Sequence, residues 1–307
     1  MARCTRTHAE SILELSATQL SAYSRLFSSA VIRELATKKK SARFVRLIKE
    51  SGVLNHVRGA GVVADVFDAA FNVLKKGGLR DEYIYKAALT HRVLLGKHNL
   101  KTACMLTEFR AGECKADVSI LNGTTTVFEI KSERDSLTRL DCQIRNYKRV
   151  FASVVVIVGE NHVASVLRAT SKDIGVLSLS RRYQISTERE PIDCPHRICP
   201  GTVLESLRVT EAKAMLARLG HDIPDLPNTQ MHAALRSAFE RLDPEAVHSA
   251  MLATLKKSRS LLPLATLVDR LPRSLQPAAL WVPMRKVDHD KLVAAVQTPL
   301  EQAMSWA

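Results

Sequence analysis

The chain has 307 residues and a mass of 34.0 kDa, enough for about two domains of ordinary size. Apolar residues make up 46% and charged residues 25%, a composition that excludes wholesale disorder and fibrous repeats. Net charge is +14 and the sequence pI is near 9.7. Residues 1–80 alone hold 14 basic and 6 acidic side chains, so more than half of the surplus sits in the first quarter. Such a balance fits a polyanionic partner, because Lys and Arg displace counterions condensed on phosphates; plain solubility is the bland reading.

The longest aliphatic run, Val154 to Val158, is too short to span a bilayer, so no membrane partner is expected. Six scattered cysteines do not make a disulfide scaffold. Arg3, Arg6 and nearby serines lack the apolar core of a secretory signal, and Glu10 and Glu14 count against a mitochondrial presequence. A reduced, cytoplasmic protein is expected.

In chain order, residues 9–75 read as helical: Ile12, Leu13, Leu15, Leu20, Leu26, Val31, Ile32 and Leu35 recur near helical spacing, and Lys38, Lys39 and Lys40 form a basic cluster. The run Lys75-Lys76-Gly77-Gly78 marks a boundary. Asp81 to Leu100 reads as a further helix with Tyr83, Ala87, Val93 and Leu94 on its apolar side. Residues 103–110, 115–121, 124–131 and 153–159 are short β-branched strands. Between the last two, Leu137, Leu140, Ile144, Tyr147 and Phe151 define one stripe of a helix over 135–151, with Ser132 and Asp135 as a capping box. A helix over 161–169 and a strand over 175–179 follow. This alternation predicts an α/β layer with a mixed sheet at 79–182, flanked by a basic helical region at 1–78 and a helical region at 183–307. In the last, Asp243-Pro244-Glu245 is a helix start.

The chemistry concentrates in three places: Asp117 in an otherwise apolar strand, Glu129-Ile130-Lys131 closing the next strand, and Gln143-x-x-x-Tyr147 one helical turn apart. Strand side chains alternate, so Glu129 and Lys131 share a face. Two carboxylates and a lysine on one side of a sheet suit phosphodiester hydrolysis. Mg²⁺ takes hard oxygen ligands and keeps places for water and phosphate, while an ammonium orients the nucleophile. The bland readings are a surface carboxylate at Asp117, a solvated ion pair between Glu129 and Lys131, and core packing of Tyr147.

Asp117, eleven intervening residues and then Glu129-x-Lys131 resemble the PD-(D/E)xK nuclease superfamily, whose restriction-endonuclease-like core has the element order read above. Ala116 stands where the superfamily's name has proline. The Gln143/Tyr147 helix resembles that of RecB-type members. Thr107-Glu-Phe-Arg, Lys115-Ala-Asp117, Phe128-Glu-Ile-Lys-Ser132 and Asp135-Ser-Leu look like an uncharacterised bacterial family with this core. The resemblance implies an Mg²⁺- or Mn²⁺-dependent nuclease acting on DNA. It also implies that Asp117, Glu129 and the Ile130 carbonyl bind the metal, that Lys131 acts on the water, and that Gln143 and Tyr147 assist. Glu108 and Glu82 are either a third acidic ligand or ordinary surface glutamates. Defence against foreign DNA or mobile-element biology is the setting this fold keeps.

Lys38, Lys39 and Lys40 in the first region, and Arg139, Arg145 and Lys148 on the Gln143 helix, are the candidate nucleic-acid contacts; solvated faces are the alternative. A homo-oligomer is compatible with the same features. Cys194-Pro-His-Arg-Ile-Cys199 lacks a second close Cys/His pair and reads as a proline-punctuated linker rather than a zinc site. The competing function is a non-catalytic nucleic-acid-binding or assembly protein that keeps the fold. The chemistry also demands a strand register. Residues opposite in an antiparallel pair share a face, so Asp117 and Glu129 can meet only across an odd-numbered connection, read here as Leu121-Asn122-Gly123 with Gly123 left-handed.

Overall fold

The computed structural model describes residues 15–58, 61–223 and 226–306. Ile12 and Leu13 of the first helical pattern, Cys4, and the leader-related Arg3, Arg6, Glu10 and Glu14 lie outside the described residues. Among the described residues, four helices come first: α1 (Ala17–Leu26), α2 (Ser29–Lys38), α3 (Ala42–Ser51) and α4 (Val63–Leu74). Their starts follow local chemistry. Ser16 accepts from the Gln19 N–H while the Gln19 side chain accepts from the Ser16 N–H, and Ser41 accepts from the Phe44 N–H. The predicted apolar stripe is the buried one, with Leu26, Val31, Ile32 and Leu35 all inside.

Helix α5 (Glu82–Leu89), capped by Asp81, is shorter than expected because it widens into a π-turn over Thr90–Leu94. Strands β1 (Cys104–Ala111), β2 (Cys114–Asn122) and β3 (Thr124–Lys131) form a meander. Helix α6 (Leu140–Lys148) leads to β4 (Ser153–Gly159), and α7 (Val163–Ala169) to β5 (Gly175–Leu179). A sixth strand, β6 (Ile185–Arg189), carries the sheet beyond residue 182, where the sequence reading drew its boundary. The sheet runs β1-β2-β3-β4-β5-β6 in sequence order. Pairs β3–β4 and β4–β5 are parallel and the others antiparallel. Strand β4 is buried along its whole length, as expected of a parallel strand covered on both faces. The protein is thus mixed α/β with flanking helices.

Helix α6 begins five residues later than its stripe predicts. Asp135 does accept from the Ser132 N–H at 2.7 Å, but this closes a turn rather than a helix. Ser136 then bonds Thr138 through both hydroxyl and backbone, a local pattern that competes with the helix.

Eight further α-helices follow among the described residues: α8 (Pro200–Leu204), α9 (Val209–Arg218), α10 (Asn228–Phe239), α11 (Pro244–Ser258), α12 (Ala265–Arg270), α13 (Gln276–Trp281), α14 (Lys286–Val296) and α15 (Leu300–Ala303). Asp243 caps α11 through the Ala246 N–H at 2.8 Å, as predicted. The last helices return to the first. Helix α14 packs on α2 and α4, Val62 bridges to Pro299, and the Trp306 ring lies 6.3 Å from Phe44. One continuous apolar core passes through all three sequence regions. No helix among the described residues is long and apolar enough to cross a membrane.

The β2–β3 connection has the required parity at a different place. Asn122 pairs with Thr124 and Leu121 with Thr125, so the turn centres on Gly123 at φ +71° rather than spanning Leu121 to Gly123. Burial explains the shift: Leu121 is fully inside, and a loop would have exposed it. Continuing the ladder one step past Val118–Phe128 sets Asp117 beside Glu129 on the same face.

Candidate metal-binding cleft

Asp117, Glu129, Ile130, Lys131 and Gln143 line one open cleft of about 470 Å³, together with Asp81, Glu82, Ser132, Arg134, Asp135 and Ser136. The regular β2–β3 ladder ends where the chemistry begins. There the Asp117 carboxylate accepts the Ile130 N–H at 2.8 Å, and a side chain substitutes for a ladder carbonyl.

Glu129 is 1% exposed. Its Oε1 accepts from Lys131 Nζ at 2.7 Å and from the Gln143 amide; its Oε2 lies 2.6 Å from the Tyr147 hydroxyl. Lys131 also donates to Gln143 Oε1 at 3.0 Å. The Tyr147 oxygen is 3.0 Å from the Lys115 carbonyl as well, but its single proton goes to the better, charged acceptor. The two readings of Tyr147 therefore coexist: it is fully buried in the core, and its polar end holds Glu129. Burial and the Glu129 charge push its phenol far above the usual range.

Asp117 is pushed up to about 7, first by burial and then by the neighbouring Glu129 charge; the Ile130 N–H offsets part of this. Two carboxylates are crowded into one poorly solvated place, and a cation there would relieve both.

Glu82 and Glu108, from α5 and β1, meet Asp117 with ligand oxygens all within 4.8 Å of one another. Glu108 stands opposite Asp117 in the β1–β2 register and adopts φ +53°, a left-handed conformation unusual for glutamate. Glu129 is not in this trio; its oxygens face Lys131, Gln143 and Tyr147. Lys86 belongs to no motif in the sequence, yet its ammonium bridges Glu82 at 2.5 Å and Glu108 at 3.3 Å. Burial alone would lower its pKa, but Glu82, Glu108 and Asp117 raise it. The i,i+4 spacing of Glu82 and Lys86 was the available signal. Arg134, likewise outside any motif, lines the cleft and donates to the Arg80 carbonyl at 3.0 Å.

The candidate nucleic-acid residues divide. Lys38 and Lys40 line a separate cleft of about 450 Å³ with Glu34, Arg43, Arg46 and Trp306; Lys39 is the exposed, left-handed end of α2. Arg139 is exposed at the start of α6. Arg145 pairs with Asp141, and Lys148 pairs with Asp173 at 2.8 Å in a cluster that Arg197 shares, so Lys148 ties α6 to the approach of β5. Cys194 and Cys199 gather no metal-binding group among the described residues. Their backbone N–H groups bond the Ala152 and Arg149 carbonyls, as a pinned linker would.

The family model for bacteriophage P4 protein cII matches residues 75–263, more than half of the chain. Protein cII of Enterobacteria phage P4 is 40% identical over 85 residues, 28% of this chain and 31% of that protein, so the chain spans about a third of the length of this relative. Among solved structures, the SPO1766 protein of unknown function from Silicibacter pomeroyi aligns with a TM-score of 0.28 and 20% identity, over 40% of this chain and 85% of that one.

Proposed function

The chain belongs to the bacteriophage P4 protein cII family, and we propose that it is a divalent-metal-dependent nuclease with a restriction-endonuclease-like core that hydrolyses DNA phosphodiester bonds. The observation that carries this reading is the convergence of Asp117, Glu129, Lys131 and Gln143 on one cleft, with Tyr147 behind Glu129. The donor set fits Mg²⁺ or Mn²⁺: hard oxygens only, from two carboxylates and the Ile130 carbonyl, with Asp117 protonated more readily than an ordinary aspartate until a cation arrives. A bound ion would acidify water and stabilise charge on the phosphate.

The chain's own residues do the rest. Gln143 and Tyr147 fix the Glu129 carboxylate, so its orientation does not depend on the metal. Lys131, within reach of both Glu129 and Gln143, holds an ammonium where it orients the attacking water. Lys86 offsets one of the two charges of Glu82 and Glu108, which lessens the repulsion between the trio and a phosphate. Lys38, Lys39, Lys40 and Arg139 supply sequence-independent attraction to the DNA backbone.

One observation favours the non-catalytic alternative: both oxygens of Glu129 are already satisfied within the protein, as in a purely structural polar core. A single experiment separates the two. Plasmid and end-labelled single- and double-stranded DNA are incubated with Mg²⁺ or Mn²⁺, using wild type, Asp117→Asn, Glu129→Gln and Lys131→Ala. Metal-dependent cleavage lost in all three variants is expected. Cleavage that survives in any of them refutes this site, and DNA binding without cleavage by wild type establishes the alternative.

A further inference from the structure

The buried polar groups that the acidic cleft leaves unused converge elsewhere. Phe71 of α4 meets the His91 and Tyr183 rings edge-on, with centroids 6.3 and 5.9 Å away. Lys75 Nζ stands 5.4 Å from the Phe71 centroid and 5.6 Å from that of Tyr183. His91 is 6% exposed and Tyr183 8%. Neither ring nitrogen of His91, nor the Tyr183 hydroxyl, nor Arg92 Nε has a hydrogen-bond partner. The Arg273 backbone approaches His91 without forming a well-shaped bond. Unpaired buried polar groups cost stability, and several gathered in one place need an explanation.

The charge around them is mostly positive. Among the described residues, Lys75, Arg92 and Arg273 form no salt bridge. Burial first, then Arg273, Arg92 and Lys75, hold His91 down to about 4; Asp68 is the one carboxylate felt by Lys75. The backbone is irregular on both sides: His91 and Arg92 sit in the π-turn, and Tyr183 adopts φ +59°. Lys75 and Arg92 are half-buried and Arg273 is exposed, so the cluster opens to solvent on its charged side.

We propose that Lys75, His91, Arg92, Tyr183 and Arg273 form a binding site for a phosphate group. Ammonium and guanidinium groups offer only donors, and a phenol and a neutral imidazole add one each, so the complementary ligand is an acceptor-rich oxyanion. The site is opposite in sign to the acidic cleft and needs no metal. A nucleic-acid strand end and a free phosphate present the same chemistry.

Binding of inorganic phosphate, and of 5′-phosphorylated and 5′-hydroxyl oligonucleotides, is measured in EDTA by calorimetry and by thermal shift. The proteins are wild type, Arg92→Gln/Arg273→Gln, Tyr183→Phe and Lys172→Ala. Phosphate raises the wild-type unfolding temperature by mass action. The double variant weakens binding roughly tenfold or more, the scale of a lost charge-assisted hydrogen bond. Tyr183→Phe unfolds no earlier without ligand, since it removes an orphaned hydroxyl, yet responds less to phosphate. Lys172→Ala, an exposed charge outside both clefts, binds as wild type. Tighter binding of the 5′-phosphorylated strand identifies a strand end as the source; binding of inorganic phosphate alone identifies a small phosphate. No phosphate response, or an equal response in wild type, the double variant and Tyr183→Phe, overturns the site. Because no cleavage is read, failure of the nuclease assignment leaves this result standing, and the reverse.

Discussion

Lys131→Ala has a stability consequence that any activity assay must account for. The substitution leaves Glu129, 1% exposed, without its cation; the lysine side chain is itself only 10% exposed, and the pair is 2.7 Å apart. The gross attraction at that distance is ~6 kcal/mol at an effective dielectric constant of about 20, and desolvation offsets much of it. Removing one partner of a buried pair usually costs ~3–5 kcal/mol, because the remaining charge stays buried. Here Gln143 and Tyr147 still donate to Glu129, and the cleft admits water beside Lys131, which places the loss near ~3 kcal/mol. Glu129→Gln/Lys131→Ala removes both charges and recovers part of that loss, so a double-mutant cycle with Glu129→Gln and Lys131→Ala as its single variants gives a coupling of ~2 kcal/mol or more. Urea unfolding followed by circular dichroism at pH 7.5, without divalent ions, reads all four proteins. A loss below ~1 kcal/mol for Lys131→Ala would refute the picture of Glu129 as a carboxylate that depends on its lysine. Loss of cleavage counts as catalytic only under conditions where the variant is shown to be folded.

Glu211 is buried, and although burial alone would raise it, the Arg259 fork, the Arg208 N–H and the Ser258 hydroxyl hold it down at about 2. Its contribution is therefore complete above the unfolded value near 4.5 and is lost as pH falls toward 2. Glu211→Gln should flatten the acid limb of a pH–stability curve by ~3 kcal/mol, and an unchanged limb would contradict the pairing. Replacing Lys38, Lys39 and Lys40 with alanine should weaken DNA binding and reduce its salt slope by up to ~0.9 for each phosphate left without its lysine; an unaltered slope assigns that cleft another partner. Gly112 and Gly123 both have positive φ, but a Cβ at Gly112 would lie 2.3 Å from Asn146 Oδ1, whereas Gly123 faces open space. Gly123→Ala should cost ~1 kcal/mol and Gly112→Ala clearly more by chemical unfolding; equal losses would show that α6 does not dock on this hairpin as described.

The sheet and its site were legible to the degree that they rest on local pattern. Short β-branched runs marked β1 to β4, the last as the unbroken apolar run of a strand buried on both faces, and the parity argument brought Asp117 to the face of Glu129 because side-chain alternation is geometric. The turn moved by a residue because burial of Leu121 outweighed the Asn-Gly signal. Strand β6 escaped because Ile185-Ser-Thr-Glu-Arg189 is an edge strand of half-buried and exposed residues with little apolar alternation. Lys86 escaped because its neighbours come from α5, β1 and β2, and only the tertiary fold brings Glu108 to it. The same holds for His91 and Tyr183, which are 92 positions apart and carry no common motif.

The return of the last helices to the first sets the order in which the chain can be completed as it leaves the ribosome. Val62 finds its partner in Pro299, and α2 and α4 find theirs in α14, more than two hundred residues downstream. At ~5–20 residues per second, the N-terminal helices wait roughly 10–50 s with an apolar face uncovered. Contacts of such sequence separation also form slowly after release. The sheet, whose neighbours follow one another in sequence, has no such delay. The nascent protein thus passes through a stage in which the cleft can be assembled while its N-terminal helices still need a chaperone's cover.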